Sequence, residues 1–407
     1  MDMPFSGSAL NPNTFGAFGT GAKPIITGKD SLSGCDTPNL LHLTELYCNI
    51  IFHSMKDIII KMYEVGDKLI PSRVKKLLAQ YEYKLACLPG IYHDRNVHPA
   101  KGLSRGAVTI SLDFEMAWAW QYAKNIKVDF IAKGLQEREQ VPLILSKLEM
   151  LNIPATWATV GHLFLDRCSR GASGLAHHDL PRIPPFENKD WKFASGDWYQ
   201  FDPCSSVKQD PAWYAPDLIE KILSSPSGQE IACHGFSHAG FGHYCPKNVA
   251  RAELDACISA MSRFGIKTKS FVFPGNDEGN FEALAEKGFQ YVRSFPKKYA
   301  KISLPVRRKD NGLWSVPVST AISRGIRWTR EERLARLKLF VDLAETTRLA
   351  SHVWLHPSMP LSEIEEILIP FLLYCADKRD RGVLDIFTME KMVQATETAF
   401  RKETAVI

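Results

Sequence analysis

The feature that most constrains this sequence is an alternation of two kinds of segment from about residue 101 onward. Short apolar segments of strand type, such as AVTISLDF at 107–114 and GVLDIFT at 382–388, are separated by longer segments with apolar residues at helical spacing. Strands that alternate with helices are typical of a parallel sheet, because each helix returns the chain to the same end of the sheet. About seven such units follow one another. We therefore predict an α/β protein, and this number of units favours an irregular (β/α) barrel over an open sheet.

The sequence divides into three parts by composition. Residues 1–35 are rich in Gly, Ser, Pro, Asn and Thr and lack periodic apolar positions, which predicts a flexible tail. Residues 36–100 predict a helical extension and a linker, and residues 101–407 predict the barrel. The lysines of the extension suit peripheral contact with an anionic membrane or a partner, but we favour helices that pack on a core. Within the barrel, residues 164–216 lack periodicity and predict a long functional insertion.

The composition limits the location and the partners that we expect for this protein. The chain is 45% hydrophobic and 23% charged, and its net charge of +5 is too mild to indicate a nucleic-acid partner. We find neither a run of about 18 apolar residues nor a secretory signal, so we expect a cytoplasmic protein without a transmembrane segment. Nine cysteines without a CxxC pair predict reduced thiols. Cys233 and Cys245 flank a histidine cluster, and we favour buried thiols over metal ligands for both.

Two carboxylates stand at the end of the first predicted barrel strand. Asp113 and Glu115 are two residues apart, a spacing that directs both side chains to the same side of a strand. Their mutual repulsion would raise a carboxyl pKa unless a cation lay nearby. The alternative is a pair of solvent-facing acids on an edge strand, but the flanking residues are apolar and indicate a buried strand. The pair therefore predicts a metal site in which one carboxylate is a ligand and the other a base.

Histidines follow two further predicted strands. His234 and His238 are four residues apart after the strand QEIAC, so both imidazoles can reach one ion. With a carboxylate they suit Zn, Co, Mn or Ni, and His243 is a further candidate for the same pocket. A metalloprotease of the HExxH type is excluded because Gly235 stands where its glutamate would be. Because histidine titrates near neutral pH, His356 after the strand SHVWL is a candidate proton donor, the alternative being a structural histidine.

Four motifs together resemble the polysaccharide deacetylase family, which is carbohydrate esterase family four with its NodB-like homology domain. The resemblance covers about residues 105–392. The motifs are TISLDFEMAW at 109–118, HGFSH at 234–238, FVFPGN at 271–276 and VWLHP at 353–357. The resemblance implies a distorted (β/α) barrel and the metal-dependent hydrolysis of an acetyl group.

The resemblance also implies a role for each matched residue. Asp113 becomes the general base and His356 the general acid. The metal ligands become Glu115, His234 and His238, although the roles of the two carboxylates can be exchanged. The metal is expected to be zinc, with cobalt, manganese or nickel as alternatives. The residues expected to bind substrate are Trp118, Trp198, Tyr199, His243 and Asn276.

The third motif departs from the family pattern. Family members often carry an arginine there that orients the base, whereas FVFPGN contains none. The loss of a group that orients a metal-site residue commonly weakens function by 10–100-fold. We therefore predict a site that is better supported as a metal site than as a fast catalyst.

Three functions remain open. We favour removal of an acetyl group, N-acetyl before O-acetyl, from an amino sugar or a glycan intermediate. The aromatic residues of the insertion would then either stack on the sugar or pack the insertion onto the barrel. The alternatives are a hydrolase of C–N bonds in small non-carbohydrate amides and a catalytically silent binding protein of the same fold. The sequence carries no indication of an oligomeric state.

Overall fold

The structure is a computed structural model, and it describes residues 102–121, 128–185, 196–295, 302–323 and 328–404. The predicted tail at 1–35 and the predicted helical extension at 36–100 lie outside these described residues. In the described part of the chain, no helix is long and apolar enough to cross a membrane.

The described strands form one curled sheet. Across the sheet they follow the order β6-β7-β5-β4-β3-β2-β1-β9-β8, and β10 pairs with β1. Every pairing is parallel except that of β6 with β7. This half-barrel confirms the predicted distorted (β/α) barrel. The strands are β1 Gly106–Phe114, β2 Thr156–Thr159, β3 Glu230–Cys233, β4 Ser270–Phe271, β5 Tyr291–Ser294, β6 Val306–Arg307, β7 Trp314–Pro317, β8 Thr320–Ala321, β9 Ala350–Leu355 and β10 Leu384–Phe387.

Strand β1 lies at the centre of the sheet. All nine of its residues are buried. One of its edges pairs with β9, and the other edge is divided between β10 in its first half and β2 in its second half. The edge-strand alternative for Asp113 and Glu115 is therefore excluded, because β1 has neighbours on both sides.

Helices connect the strands, and the starts of two of them are fixed by side chains. The carboxylate of Asp129 accepts a hydrogen bond from the backbone N–H of Ala132 at 2.9 Å at the start of α2. Thr329 and Glu332 form a capping box at the start of α6. The helices are α1 Ala117–Trp120, α2 Phe130–Met150, α3 Pro216–Leu223, α4 Lys247–Ser262, α5 Phe281–Glu286, α6 Arg330–Thr347, α7 Leu361–Glu363, α8 Ile369–Asp380 and α9 Met389–Thr404, with 3₁₀ turns at Gly161–Phe164 and Pro274–Asn276 and a π turn at Ile364–Leu368.

The insertion at 164–216 is irregular but packed. Between residues 165 and 215 its described residues contain no helix or strand, only two isolated β-bridges, Arg167 with Ser206 and Arg170 with Ala176. Four of its aromatic side chains are at most 2% exposed, namely Trp198, Tyr199, Trp213 and Tyr214. Burial of aromatic rings is a large favourable contribution, so the insertion is held by a core rather than by a ladder of backbone hydrogen bonds.

Candidate metal centre

The polar residues predicted from the motifs meet at the carboxyl ends of three parallel strands. Asp113 is the penultimate residue of β1, and Glu115 follows that strand. His234 follows β3 directly, and His356 follows β9 directly. Parallel strands present their carboxyl ends at one edge, which is where α/β barrels place their sites. We call the set of Asp113, Glu115, His234, His238 and His356 the Glu115 site.

The carboxylate of Glu115 lies between the two histidines of the HGFSH motif. Its Oε1 is 2.8 Å from Nε2 of His234 and 2.9 Å from Nε2 of His238. All three side chains are buried. Burial alone would raise the pKa of Glu115, but the charges of His238 and His356 and the hydrogen bonds with His234 and His238 together hold that pKa well below its usual range. Glu115 is therefore an anion among imidazoles.

The donor set of Glu115, His234 and His238 fits a divalent metal ion. Nδ1 of His234 lies 2.7 Å from the carbonyl oxygen of Val272, which can only accept, so Nδ1 carries the proton. In the neutral ring, Nε2 then presents a lone pair to the Glu115 carboxylate, and two acceptors come this close only with a proton or a cation between them. The ligand atoms of all three residues lie within 4.8 Å of one another. Three protein ligands with room for a further one are typical of catalytic zinc sites.

An arginine from another strand stands beside Asp113. Arg293 of β5 is buried and holds both carboxylate oxygens of Asp113, with Nη2 at 2.6 Å from Oδ2. Its Nη2 also donates to Oδ1 of Asn276 at 3.2 Å, and its Nη1 donates to the hydroxyl of Ser111 at 3.2 Å. The expectation that the base lacks an orienting arginine is therefore wrong. The third motif contains none, but β5 supplies one.

His356 is the most accessible member of the Glu115 site. Its side chain is 31% exposed, whereas that of Glu115 is 3% exposed. Its Nε2 lies 3.5 Å from Oε2 of Glu115. The half-buried indoles of Trp120 and Trp354 flank its ring, with centroids at 6.1 Å and 5.0 Å. Sequence reasoning did not single out these two tryptophans, because neither stands at a predicted ligand or acid position.

The sequence matches no protein-family model and no curated protein. Solved structures are similar to it. A protein from Mycobacterium smegmatis, provisionally described as a polysaccharide deacetylase, is 16% identical with a TM-score of 0.50, over 73% of this chain and 91% of that one. Puue allantoinase is 13% identical with a TM-score of 0.48, over 75% of this chain and 94% of that one. The first likeness shows a shared fold. The chain has the polysaccharide deacetylase fold. The resemblance carried by the motifs is thus confirmed at the level of the fold.

Within this polysaccharide deacetylase fold, Glu253 of α4 holds the HGFSH loop in place. Its Oε2 accepts the backbone N–H groups of Phe236 at 2.9 Å and Ser237 at 2.8 Å, and its Oε1 accepts the Ser237 hydroxyl at 2.6 Å. The loop needs a left-handed backbone at Gly235, where φ is +70°. The sequence offered one signal for Glu253, an acidic residue on the apolar face of a helix.

Glu137 of α2 supports the other side of the Glu115 site. Its Oε1 accepts the backbone N–H of Glu115 at 2.9 Å, and its side chain is fully buried. Burial and the nearby charge of Glu115 raise the pKa of Glu137 to about 8. Glu137 is therefore protonated at neutral pH, which keeps a second negative charge away from Glu115.

Three aromatic residues expected to bind substrate are buried. Trp118, Trp198 and Tyr199 are at most 2% exposed. The indole N–H of Trp198 donates to Ser237 at 3.0 Å, and the hydroxyl of Tyr199 donates to Glu253 at 3.2 Å. In this structure Trp198 and Tyr199 join the insertion to the HGFSH loop and to Glu253, and Trp118 packs on Trp213, so the three rings present no surface for a sugar.

The remaining candidates fall in different places. Asn276 lies beside the Asp113–Arg293 pair through its contact with Arg293. His243 is exposed, and the metal-capable groups of the described residues do not include it. Cys233 and Cys245 are buried and also stand outside those groups, with Sγ of Cys233 at 3.2 Å from Sγ of Cys257. They accord with the interpretation of buried thiols.

Proposed function

We propose that this chain is a metal-dependent hydrolase that removes an acetyl group from the nitrogen of an amino sugar or a glycan intermediate. The single observation that carries the proposal is that two carboxylates at the carboxyl end of β1, Asp113 and Glu115, have separate partners. Glu115 faces His234 and His238, whereas Asp113 is held by Arg293. This division supports Glu115 as the metal ligand and Asp113 as the base.

The residues that would hold the ion are Glu115, His234 and His238, and zinc is the ion we propose, with cobalt, manganese or nickel as alternatives. A divalent ion there supplies positive charge for the acetyl carbonyl oxygen and makes bound water more acidic. The buried surroundings strengthen that electrostatic contribution, because little water screens it.

Asp113 is placed to accept the proton of the attacking water. Arg293 occupies one lone pair on each carboxylate oxygen and fixes the plane of the group, which leaves the other lone pairs free. As the water oxygen bonds to the acetyl carbon, its proton passes to Asp113. The C–N bond then breaks, and the amine nitrogen takes a proton from His356. The products are acetate and a free amine.

The surroundings of His356 support a cyclic substrate. Trp120 and Trp354 are half-buried, so part of each indole is accessible beside the proposed acid. Binding pockets combine such aromatic surfaces with a few polar groups that fix orientation. The Mycobacterium smegmatis protein of the same fold is itself provisionally described as a polysaccharide deacetylase, and this further supports a sugar over a small non-carbohydrate amide.

The test is acetate release from N-acetylated amino sugars and from a panel of small amides. We expect release from the sugars, its loss after dialysis against a chelator, and its return with Zn²⁺. Asp113→Asn should lose activity, whereas Asp217→Asn, at a half-exposed position on α3, is a matched control that should keep it. Release that survives the chelator, or an active Asp113→Asn protein, contradicts the mechanism. Turnover of the small amides alone would favour the other hydrolase, and no turnover at all would favour a binding protein.

A further inference from the structure

A second group of metal-capable side chains lies in the insertion. We call His162, Cys168, His177 and Asp202 the His162 site. The ligand atoms of these four residues lie within 4.8 Å of one another. None of them belongs to the Glu115 site or to the motifs of the polysaccharide deacetylase fold. His162 sits in the 3₁₀ turn that follows β2, and the other three belong to the irregular insertion.

The carboxylate of Asp202 is the centre of this group. Its Oδ2 lies 2.7 Å from Nε2 of His177, 3.3 Å from Nε2 of His162 and 3.5 Å from Sγ of Cys168. Its Oδ1 has a separate partner, the backbone N–H of Cys204 at 2.9 Å. Asp202 and His162 are fully buried, and the side chain of His177 is 11% exposed. The group thus brings together one carboxylate oxygen, two imidazole nitrogens and a sulfur at a largely buried position.

The ring of His162 carries the main argument for an ion. Its Nδ1 is 3.2 Å from the carbonyl oxygen of Trp213, which can only accept, so Nδ1 carries the proton. Its Nε2 points toward Asp202 but lacks the alignment of a hydrogen bond, and this buried atom has no hydrogen-bond partner. A buried polar atom without a partner is rare and costs about 1–3 kcal/mol. A cation between Nε2 and the carboxylate would remove that cost.

The contacts around the group are those that hold ligands in protein metal sites. A histidine ligand usually donates its other ring N–H to a carbonyl or a carboxylate, as His162 does to Trp213. The hydroxyl of Tyr214 lies 3.2 Å from Sγ of Cys168, and Arg170 donates to the backbone carbonyl of Asp202 at 2.8 Å. These contacts orient the sulfur and the segment that carries the carboxylate.

We propose that His162, Cys168, His177 and Asp202 bind a structural zinc ion, separate from the ion of the Glu115 site. Four protein ligands with nitrogen, sulfur and oxygen atoms complete a tetrahedral zinc shell, which is the pattern of a structural rather than a catalytic site. The thiolate favours zinc over the hard ions magnesium and calcium.

The ion would join the irregular insertion to the barrel and to the HGFSH loop. The backbone N–H of His162 donates to the carbonyl of Phe236 at 2.9 Å, and that of Gly161 donates to the carbonyl of Gly235 at 2.8 Å. The ring of Phe236 also contacts the rings of His162 and His177 at 5.6 Å and 5.3 Å. Because the described residues between 165 and 215 form no helix or strand, a four-ligand ion supplies the rigidity that regular structure does not.

The test uses the purified full-length chain with Co²⁺ in place of zinc. The ligands of the Glu115 site include no cysteine, so a thiolate-to-cobalt charge-transfer band that depends on Cys168 distinguishes the His162 site from the Glu115 site. We expect this band in the unaltered protein. We expect its loss in Cys168→Ser, together with the loss of about one cobalt ion per chain. Cys245→Ser is the matched control, because it removes a buried thiol next to the HGFSH motif, and it should keep the band.

Zinc analysis provides a second measurement that does not depend on activity. The unaltered chain should carry about two zinc ions, and His177→Gln and Glu115→Gln should each carry about one. A folded, unaltered protein without the thiolate band overturns the proposal, as does a band that persists in Cys168→Ser. The four residues would then form a hydrogen-bonded network without an ion. Failure of the deacetylase proposal leaves the thiolate band and its loss in Cys168→Ser unchanged, because neither depends on acetate release or on an ion at the Glu115 site.

Discussion

Replacing Arg293 with methionine removes the charged partner of Asp113 while keeping a side chain of similar length. Arg293 and Asp113 are both buried and joined by two hydrogen bonds. Removing one member of a buried ion pair leaves an unpaired charge and costs about 3–5 kcal/mol. In a domain of this size that loss of stability lowers the thermal unfolding midpoint by roughly 6–10 °C. We expect the loss of unfolding free energy in urea unfolding followed by fluorescence and circular dichroism. We also expect loss of acetate release.

The control for this prediction is Arg251→Met. Arg251 makes the same two-point contact with Glu286, at 2.8 Å and 3.0 Å, but both side chains are more than 40% exposed. Exposed pairs contribute little, so its unfolding midpoint should stay within error of the parent. Asp113→Asn combined with Arg293→Met should recover part of the lost stability, because no unpaired charge is left. Equal effects of the two arginine substitutions, with no recovery in the double variant, would refute a buried ion pair.

Three further predictions concern metal binding, pH and proton donation. Glu253→Gln should weaken zinc affinity at the Glu115 site by about 10–100-fold in a chelator competition, while Glu286→Gln on the surface should not. Burial raises the pKa of Glu230, so its contribution to stability is complete below the unfolded-state carboxyl pKa and is lost as pH rises through the raised value. Between the unfolded-state pKa and the raised native-state pKa, Glu230→Gln should therefore flatten the fall of unfolding free energy with pH. An unchanged slope would contradict this prediction. His356→Ala should lower acetate release by about 10²–10⁴-fold at unchanged zinc content, and unchanged release would exclude it as the acid.

The fold and the meeting of the residues of the Glu115 site could be predicted because their signals are local. Asp113, Glu115, His234 and His356 each follow or end an apolar strand, and parallel strands bring such positions together. Arg293 could not be found in this way. It lies inside the short strand YVRS, and its partner is 180 residues away in the sequence. The available signal was a charged residue in the middle of a buried strand, which usually has an opposite charge as a partner.

The insertion shows a different limit of prediction. An irregular segment has no periodicity from which to tell inward from outward side chains, so the burial of Trp198 and Tyr199 was not apparent. The same holds for the His162 site. His162, Cys168 and Asp202 have no common zinc-motif spacing, and only the path of the insertion brings them together.

The divided edge of β1 has a consequence for biosynthesis. Half of that edge pairs with β2, which is made soon after β1, and the other half pairs with β10, which is made after all the other described strands. Until β10 leaves the ribosome, the backbone groups of Gly106–Thr109 on that edge lack their native partner. An unpaired edge of an apolar strand is a site of aggregation, and pairings between distant segments form slowly. We therefore expect chains that stop before β10 to be recovered in the insoluble fraction, even though every member of the Glu115 site is present in them.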